Sequence, residues 1–169
     1  NSKCSLNYKS GFQLLVATIL SAQCTDDRVN KVTSIMFKKY PDAKAFSQIS
    51  IKQIAKEIYS TGFYNNKSKN IKSMSDIVMN KYNGNIPSNI EELIDLPGVG
   101  RKTANVVLGN YFDVPSMVVD THVTRITSLL GFVKTYNAVI IEREMEKIVE
   151  RNDWTIFSHL LIDHGRAVC

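Results

Sequence analysis

Apolar residues recur every three or four positions along nearly the whole chain, and glycine or proline cuts each run short. That spacing puts the apolar side chains on one face of a helix. Ser10 caps a first helix carrying Phe12, Leu15, Val16 and Ile19. A second has Val29, Val32, Ile35 and Met36 on one face and ends before Pro41. A third is capped by Ser50, carries Ile54, Ala55 and Ile58, and stops at Gly62. A fourth runs from about Asn66 with Ile71, Met74, Ile77 and Val78, and stops at Gly84. Ser88 with Glu91 makes a capping box for a short fifth helix. Leu96–Gly100 interrupts the pattern with turn chemistry, and it resumes from Arg101 to about Tyr111. Asp120 caps a helix holding Val123, Ile126 and Leu130 and stopped by Gly131; Asn137 opens another, and the last carries Trp154, Phe157 and Leu161. Strand alternation is nearly absent, since Met117–Val119 is too short to count alone. The expectation is an all-α fold of roughly nine or ten helices.

Composition removes several classes. The longest apolar run, Phe12–Leu20, is broken by Gln13 and Thr18; a membrane span needs ~20 residues. Three cysteines, Cys4, Cys24 and Cys169, are too few and too scattered for a disulfide framework. A reducing, cytoplasmic setting is expected, and no apolar leader opens the chain. The net charge of +5 permits a phosphate partner without demanding one. The chain begins at Asn1 rather than Met and stops at Cys169, which points to trimmed ends.

Residues 90–104 carry the chemistry: a short helix, a Pro97–Gly98–Val99–Gly100 turn, then a second helix opened by Arg101 and Lys102. Glycines let another backbone approach closely. The N–H groups and positive dipole end that open a helix bind phosphate without a side chain. The bland alternative is a plain helical corner whose glycines serve packing.

The string Leu96–Ala104 resembles the helix-hairpin-helix of the DNA glycosylase superfamily, above all of the endonuclease III family. Val118–Val119–Asp120–Thr121–His122 is similar to that family's loop with its invariant aspartate. Ser21–Ala22–Gln23, Gly62–Phe63–Tyr64–Asn65 and His164–Gly165–Arg166–Ala167–Val168–Cys169 also match, in the family's order. The resemblance runs from about Leu6 to the last residue.

It implies a bifunctional glycosylase and AP lyase that removes oxidised pyrimidines from duplex DNA and cleaves abasic sites. The fold implied has two helical lobes with the active site in the cleft between them. Residues 4–114 form one lobe with the hairpin, and residues 1–3 with 115–169 form the other. Lys102 would attack the sugar C1′, expel the base and leave a Schiff base that permits β-elimination. An ammonium at a helix start, beside Arg101, sits where the dipole disfavours the cation. Asp120 would stabilise the developing positive sugar, although it is also a well-placed N-cap. By the same resemblance Gln23 enters the gap left by the flipped nucleotide and Phe63 wedges the duplex. For these two, a surface glutamine and ordinary core packing are the alternatives. Asn65, Lys67, Lys69, Gly98, Val99, Gly100, Arg101, Thr121, His122 and Arg125 would meet the DNA backbone; a solvated lysine face and a satisfied histidine are the plainer readings.

Cys169 matches the first of four ligands of a [4Fe–4S] cluster in the family's Cys-x6-Cys-x2-Cys-x5-Cys loop. The other three are absent from this chain, so the cluster is expected in the full-length protein and not on this chain by itself. The protein is expected to act as a monomer on double-stranded DNA, away from membranes and near the bacterial nucleoid. Two rivals stay open. One is another base specificity on the same scaffold, such as adenine opposite oxidised guanine. No acidic residue lies between Gly11 and Gln23, where the adenine branch carries its acid. The other is a non-catalytic hairpin module that only binds DNA.

Overall fold

The computed structural model describes residues 2–168, and those residues are helical with no strand. The helices are α1 Gly11–Leu20, α2 Asp26–Lys39, α3 Ala43–Ser47, α4 Ile51–Glu57, α5 Tyr64–Tyr82, α6 Ile90–Ile94, α7 Arg101–Tyr111, α8 Thr121–Leu129, α9 Ala138–Ile148 and α10 Trp154–Ala167. Single 3-10 turns precede α5 and α10, at Tyr59–Thr61 and Arg151–Asp153. The chain forms two compact units. One runs from Ser5 to Val107, and the other takes the first few residues and everything from Leu108 onward. The division falls inside α7, earlier than the boundary after residue 114 expected from the sequence. Its cause is local: Asn110 bonds His159, and Gly109 lies close to Ser116 and Thr155, so the end of α7 packs with the C-terminal segments.

In the first unit α1 is the hub. Every residue of it is buried, and its two polar side chains are satisfied there, Gln13 donating to the Pro41 carbonyl and Thr18 to the Leu14 carbonyl. Ser10 starts it by accepting the Gln13 N–H at 3.2 Å. The long α5 packs on α1, α3 and α4, burying Ile71, Met74 and Val78 completely. Phe46 sits between Phe12 and Tyr40, with ring centroids 5.6 and 5.9 Å away. Fully burying a side chain of the Leu, Ile, Phe or Met class contributes about 1.5–3 kcal/mol. A hub of this kind holds its flanking loops in fixed places.

Three local expectations are corrected, one of them Leu130, which is 58% exposed at the end of α8 rather than on its buried face. Ile35 is 58% exposed rather than part of the α2 stripe. At ~100° per residue it lies about 120° from the line through Val29 and Met36, and Thr33 takes the inward place. The cap of α6 is Asn89, not Ser88: its side chain accepts the Glu92 N–H at 2.8 Å. Asn and Ser cap equally well, so composition could not choose between adjacent candidates.

In the second unit Met117, Val119, Val123, Val133, Ile141 and Met145 form the core, with Trp154, Phe157 and Leu161 laid against it. Ser158 accepts the Val118 N–H at 2.9 Å, and Trp154 donates its ring N–H to the Val149 carbonyl at 3.0 Å. The first bond fastens α10 to the segment leading to Asp120, and the second ties the start of α10 to the end of α9.

Candidate functional site

The hairpin is anchored by its apolar residues. Leu96 and Val99 are buried, and the Val99 N–H closes the turn on the Leu96 carbonyl at 3.0 Å. The two glycines do different work. Gly98 has φ +79, and a Cβ there would lie 2.9 Å from the Asn70 Cβ on α5. It is glycine because the fold requires it. Gly100 has no positive φ, and a Cβ on it would meet nothing within 4 Å. Its bareness serves no internal packing and leaves an open approach to the start of α7. Arg101 and Lys102 stand exposed in the first turn of that helix. The Val99 side chain, expected at the DNA, is buried, and its N–H is bonded within the turn.

Gln23 and Phe63 share an unusual backbone. Both adopt left-handed conformations, φ 54 and φ 50, and both side chains are exposed, Phe63 by 62%. Core packing is thereby excluded for Phe63. Non-glycine residues in this region cost of order 1–3 kcal/mol and persist where the surroundings over-determine them. Nothing in a single sequence announces this; Gly62 before Phe63 is the nearest signal. Asn65 and Lys69 are exposed on the first turns of α5.

Lys67 corrects a second expectation. It is 5% exposed, and its Nζ donates to the carbonyls of Leu20 and Thr61, each at 2.8 Å. Burial pushes its pKa below the ordinary lysine value, and neighbouring Cys24 opposes that pull. It is a structural cation, not a phosphate contact.

In the second unit Asp120 caps α8, Oδ1 accepting the Val123 N–H at 2.9 Å. Thr121 and Arg125 are exposed on the same helix. His122 is half-buried against Gly165, where a Cβ would lie 2.7 Å from His122 Nδ1. Arg125 Nη2 donates to the Gly165 carbonyl at 3.3 Å and lies 3.4 Å from His122 Nδ1. Thr121, Thr124, Arg125, Ser128, Leu129 and Tyr136 line an open groove of ≈ 420 Å³. The sequence points to Thr121, His122 and Arg125, and to Gly165 within a motif string, but not to the close approach of α10 that Gly165 permits.

Cys169 lies outside the described residues. Among the described residues no group of three or more His, Cys, Asp or Glu side chains could hold a metal ion, and neither Cys4 nor Cys24 is in a disulfide. A [4Fe–4S] cluster needs four thiolate ligands, so the described residues do not make its site, and none of the chemistry assigned to this chain runs through it. No helix of the described residues is long and apolar enough to cross a membrane.

The family model of the HhH-GPD superfamily base excision DNA repair proteins matches residues 16–151. The chain is 50% identical to endonuclease III of Synechocystis sp. over 98% of its length and 76% of that protein. It is 41% identical to the Bacillus subtilis endonuclease III over 100% of its length and 78% of the relative. Among solved structures, a non-covalent endonuclease III–DNA complex superposes with a TM-score of 0.97 at 41% identity, covering 100% of this chain and 79% of that one. A trapped endonuclease III–DNA covalent intermediate superposes at 0.95 with 42% identity, covering 98% and 78%.

Proposed function

Because the chain belongs to the endonuclease III family of the HhH-GPD superfamily of base excision DNA repair proteins, we propose that it excises oxidised pyrimidines from duplex DNA and cleaves 3′ to the abasic site. It is a DNA glycosylase and AP lyase, and duplex DNA is its partner.

The observation that carries the residue assignment is Lys102, an exposed amine in the first turn of α7 just behind bare Gly100. A phosphate bound at that helix start would bring the sugar of its nucleotide to the amine. Free amine attacks C1′, the C1′–N bond to the base breaks, and the base leaves with the bonding pair. On attack the nitrogen gives up one proton, which passes to the departing base; the ring then opens as the nitrogen lone pair forms C1′=N and O4′ takes a proton from solvent, leaving the protonated Schiff base. Loss of a proton from C2′ expels the 3′ phosphate. Asp120 is assigned to stabilise positive charge on the sugar and to take protons from the amine. Gln23 and Phe63, exposed on strained backbone, are assigned to enter the stack where the nucleotide is drawn out. Arg101, Arg125 and Thr121 are assigned to the flanking phosphates.

Adenine excision is disfavoured by the want of an acidic residue between Gly11 and Gln23. The bacterial relatives and a DNA substrate suit a cytoplasmic location. In a protein that carries three further cysteines of the family's spacing, Cys169 would be the first cluster ligand.

Borohydride reduction in the presence of abasic-site duplex tests the reading. A covalent protein–DNA adduct is expected, and Lys102→Gln should abolish it while duplex binding persists. Tight binding with no adduct in the unaltered protein would overturn the lyase assignment and leave a binding module.

A further inference from the structure

Lys67 is a buried lysine that the glycosylase and lyase chemistry does not use. It lies in the first turn of α5, and its ammonium reaches two carbonyls from separate segments: Leu20, the last residue of α1, and Thr61, the last of the 3-10 turn. Leu20 stands three residues before Gln23, and Thr61 two before Phe63. We infer that Lys67 is a positioning residue whose ammonium ties the Gln23 loop to the Phe63 loop and holds both side chains ready for the base stack. The inference rests on the assignment of Gln23 and Phe63 to that stack.

Three observations converge on it. The last carbonyls of a helix lack intrahelical partners and carry the negative dipole end, so a cation at Leu20 is electrostatically favoured. Gln23 and Phe63 both hold left-handed backbone, which needs an outside constraint to persist. The same ammonium reaches the chain just before each of them. Packing alone does not explain a lysine here, since a methionine would fill the volume without desolvating a charge. Nor does α5 depend on it, because Ile71, Met74 and Val78 are fully buried and fasten the helix further along. The ammonium therefore acts on the loops more than on the fold.

The consequence is a split between two reactions of one protein. Excision of a paired, damaged base needs both loops to open the duplex. Elimination at an abasic site in single-stranded DNA needs neither, because no base must be drawn out. Lys67→Met should slow single-turnover excision from an oxidised-pyrimidine duplex by roughly tenfold or more, the scale of a lost charged hydrogen bond. It should leave elimination on a single-stranded abasic oligonucleotide at the unaltered rate. A 2-aminopurine placed beside the lesion should brighten on binding of the unaltered protein, and much less with Lys67→Met. Lys67→Gln, which keeps a neutral donor, serves where Lys67→Met does not fold, and should show the same split at smaller size. Equal slowing of both reactions, or slowing of neither, would overturn the inference. If Gln23→Ala and Phe63→Ala leave the 2-aminopurine signal intact, the stack assignment itself is wrong and this inference goes with it. If those two variants lose the signal and Lys67→Met keeps it, only the tie is refuted.

Discussion

At Asp120 one carboxylate serves two purposes, and they can be separated by substitution. Oδ1 accepts the Val123 N–H and starts α8. An asparagine caps as well as an aspartate, whereas alanine at an N-cap costs about 1 kcal/mol. Asp120→Ala should therefore lower stability by about that amount and Asp120→Asn by little, on denaturant titration. Both should reduce the excision rate by roughly 10²–10⁴-fold, the range for loss of a positioned acid–base group. An active Asp120→Asn would leave Asp120 as a cap alone. The hairpin glycines divide in the same way. Gly98→Ala meets both the left-handed backbone and Asn70, and should cost about 1–3 kcal/mol. Gly100→Ala has room for its methyl within the protein, so its melting temperature should stay put while duplex affinity falls. Equal melting losses for the two would contradict this division.

Between elements, glycine permits close approach and polar contacts seal it. Gly165 lets α10 lie against His122 on α8, with His122 Cβ only 2.8 Å from where a Cβ would sit. Gly165→Ala should cost about 1–3 kcal/mol, the usual penalty of overpacking, measured as a lower midpoint in urea. Nearby, His159 Nε2 lies 2.8 Å from Asn110 Oδ1, joining α10 to the end of α7. Burial holds the His159 pKa below its ordinary value, with Asp163 pulling weakly the other way. The unfolded chain therefore takes up this proton at a higher pH than the folded one. Stability from this site is full above about pH 6.5 and falls as pH drops from there toward the lowered folded value. Melting temperature should decline on acidification from pH 7.5 to 5.5, and His159→Gln should flatten that decline. An unchanged slope would mean that His159 is not the group responsible.

Across the molecule, charge is what the DNA first senses. Some lysines are occupied at the surface: Lys39 with Glu57, Lys72 with Asp76 and Lys147 with Glu144. Such exposed pairs contribute little to stability. The net charge of +5 remains for the phosphates. A protein neutralising about four phosphates of B-form DNA gives log K against log salt a slope of about −3.6. A titration of duplex binding between low and physiological salt should fall steeply in this way, and Arg101→Ala should make it shallower by about one phosphate. A slope near zero would contradict phosphate-dominated binding.

The local rules written along the chain were readable without coordinates. Helix caps at Ser10, Ser50, Asp120 and Asn137, the buried stripes and the hairpin turn depend on neighbours within a few residues, where periodicity and capping act directly. Motif strings at Leu96–Ala104 and Val118–His122 pointed to the reaction class for the same reason: the signal is contiguous. Tertiary packing decided the rest. Lys67 reads as one more surface lysine on a polar helix start, and only the arrival of Leu20 from a distant helix beside the nearby Thr61 carbonyl turns it inward. Gly98 and Gly100 look alike in the sequence, and only Asn70 on α5 tells them apart. The left-handed backbone of Gln23 and Phe63 shows only in the folded chain. A residue's spacing to its neighbours sets its local conformation; which distant group finally meets it depends on how the helices pack.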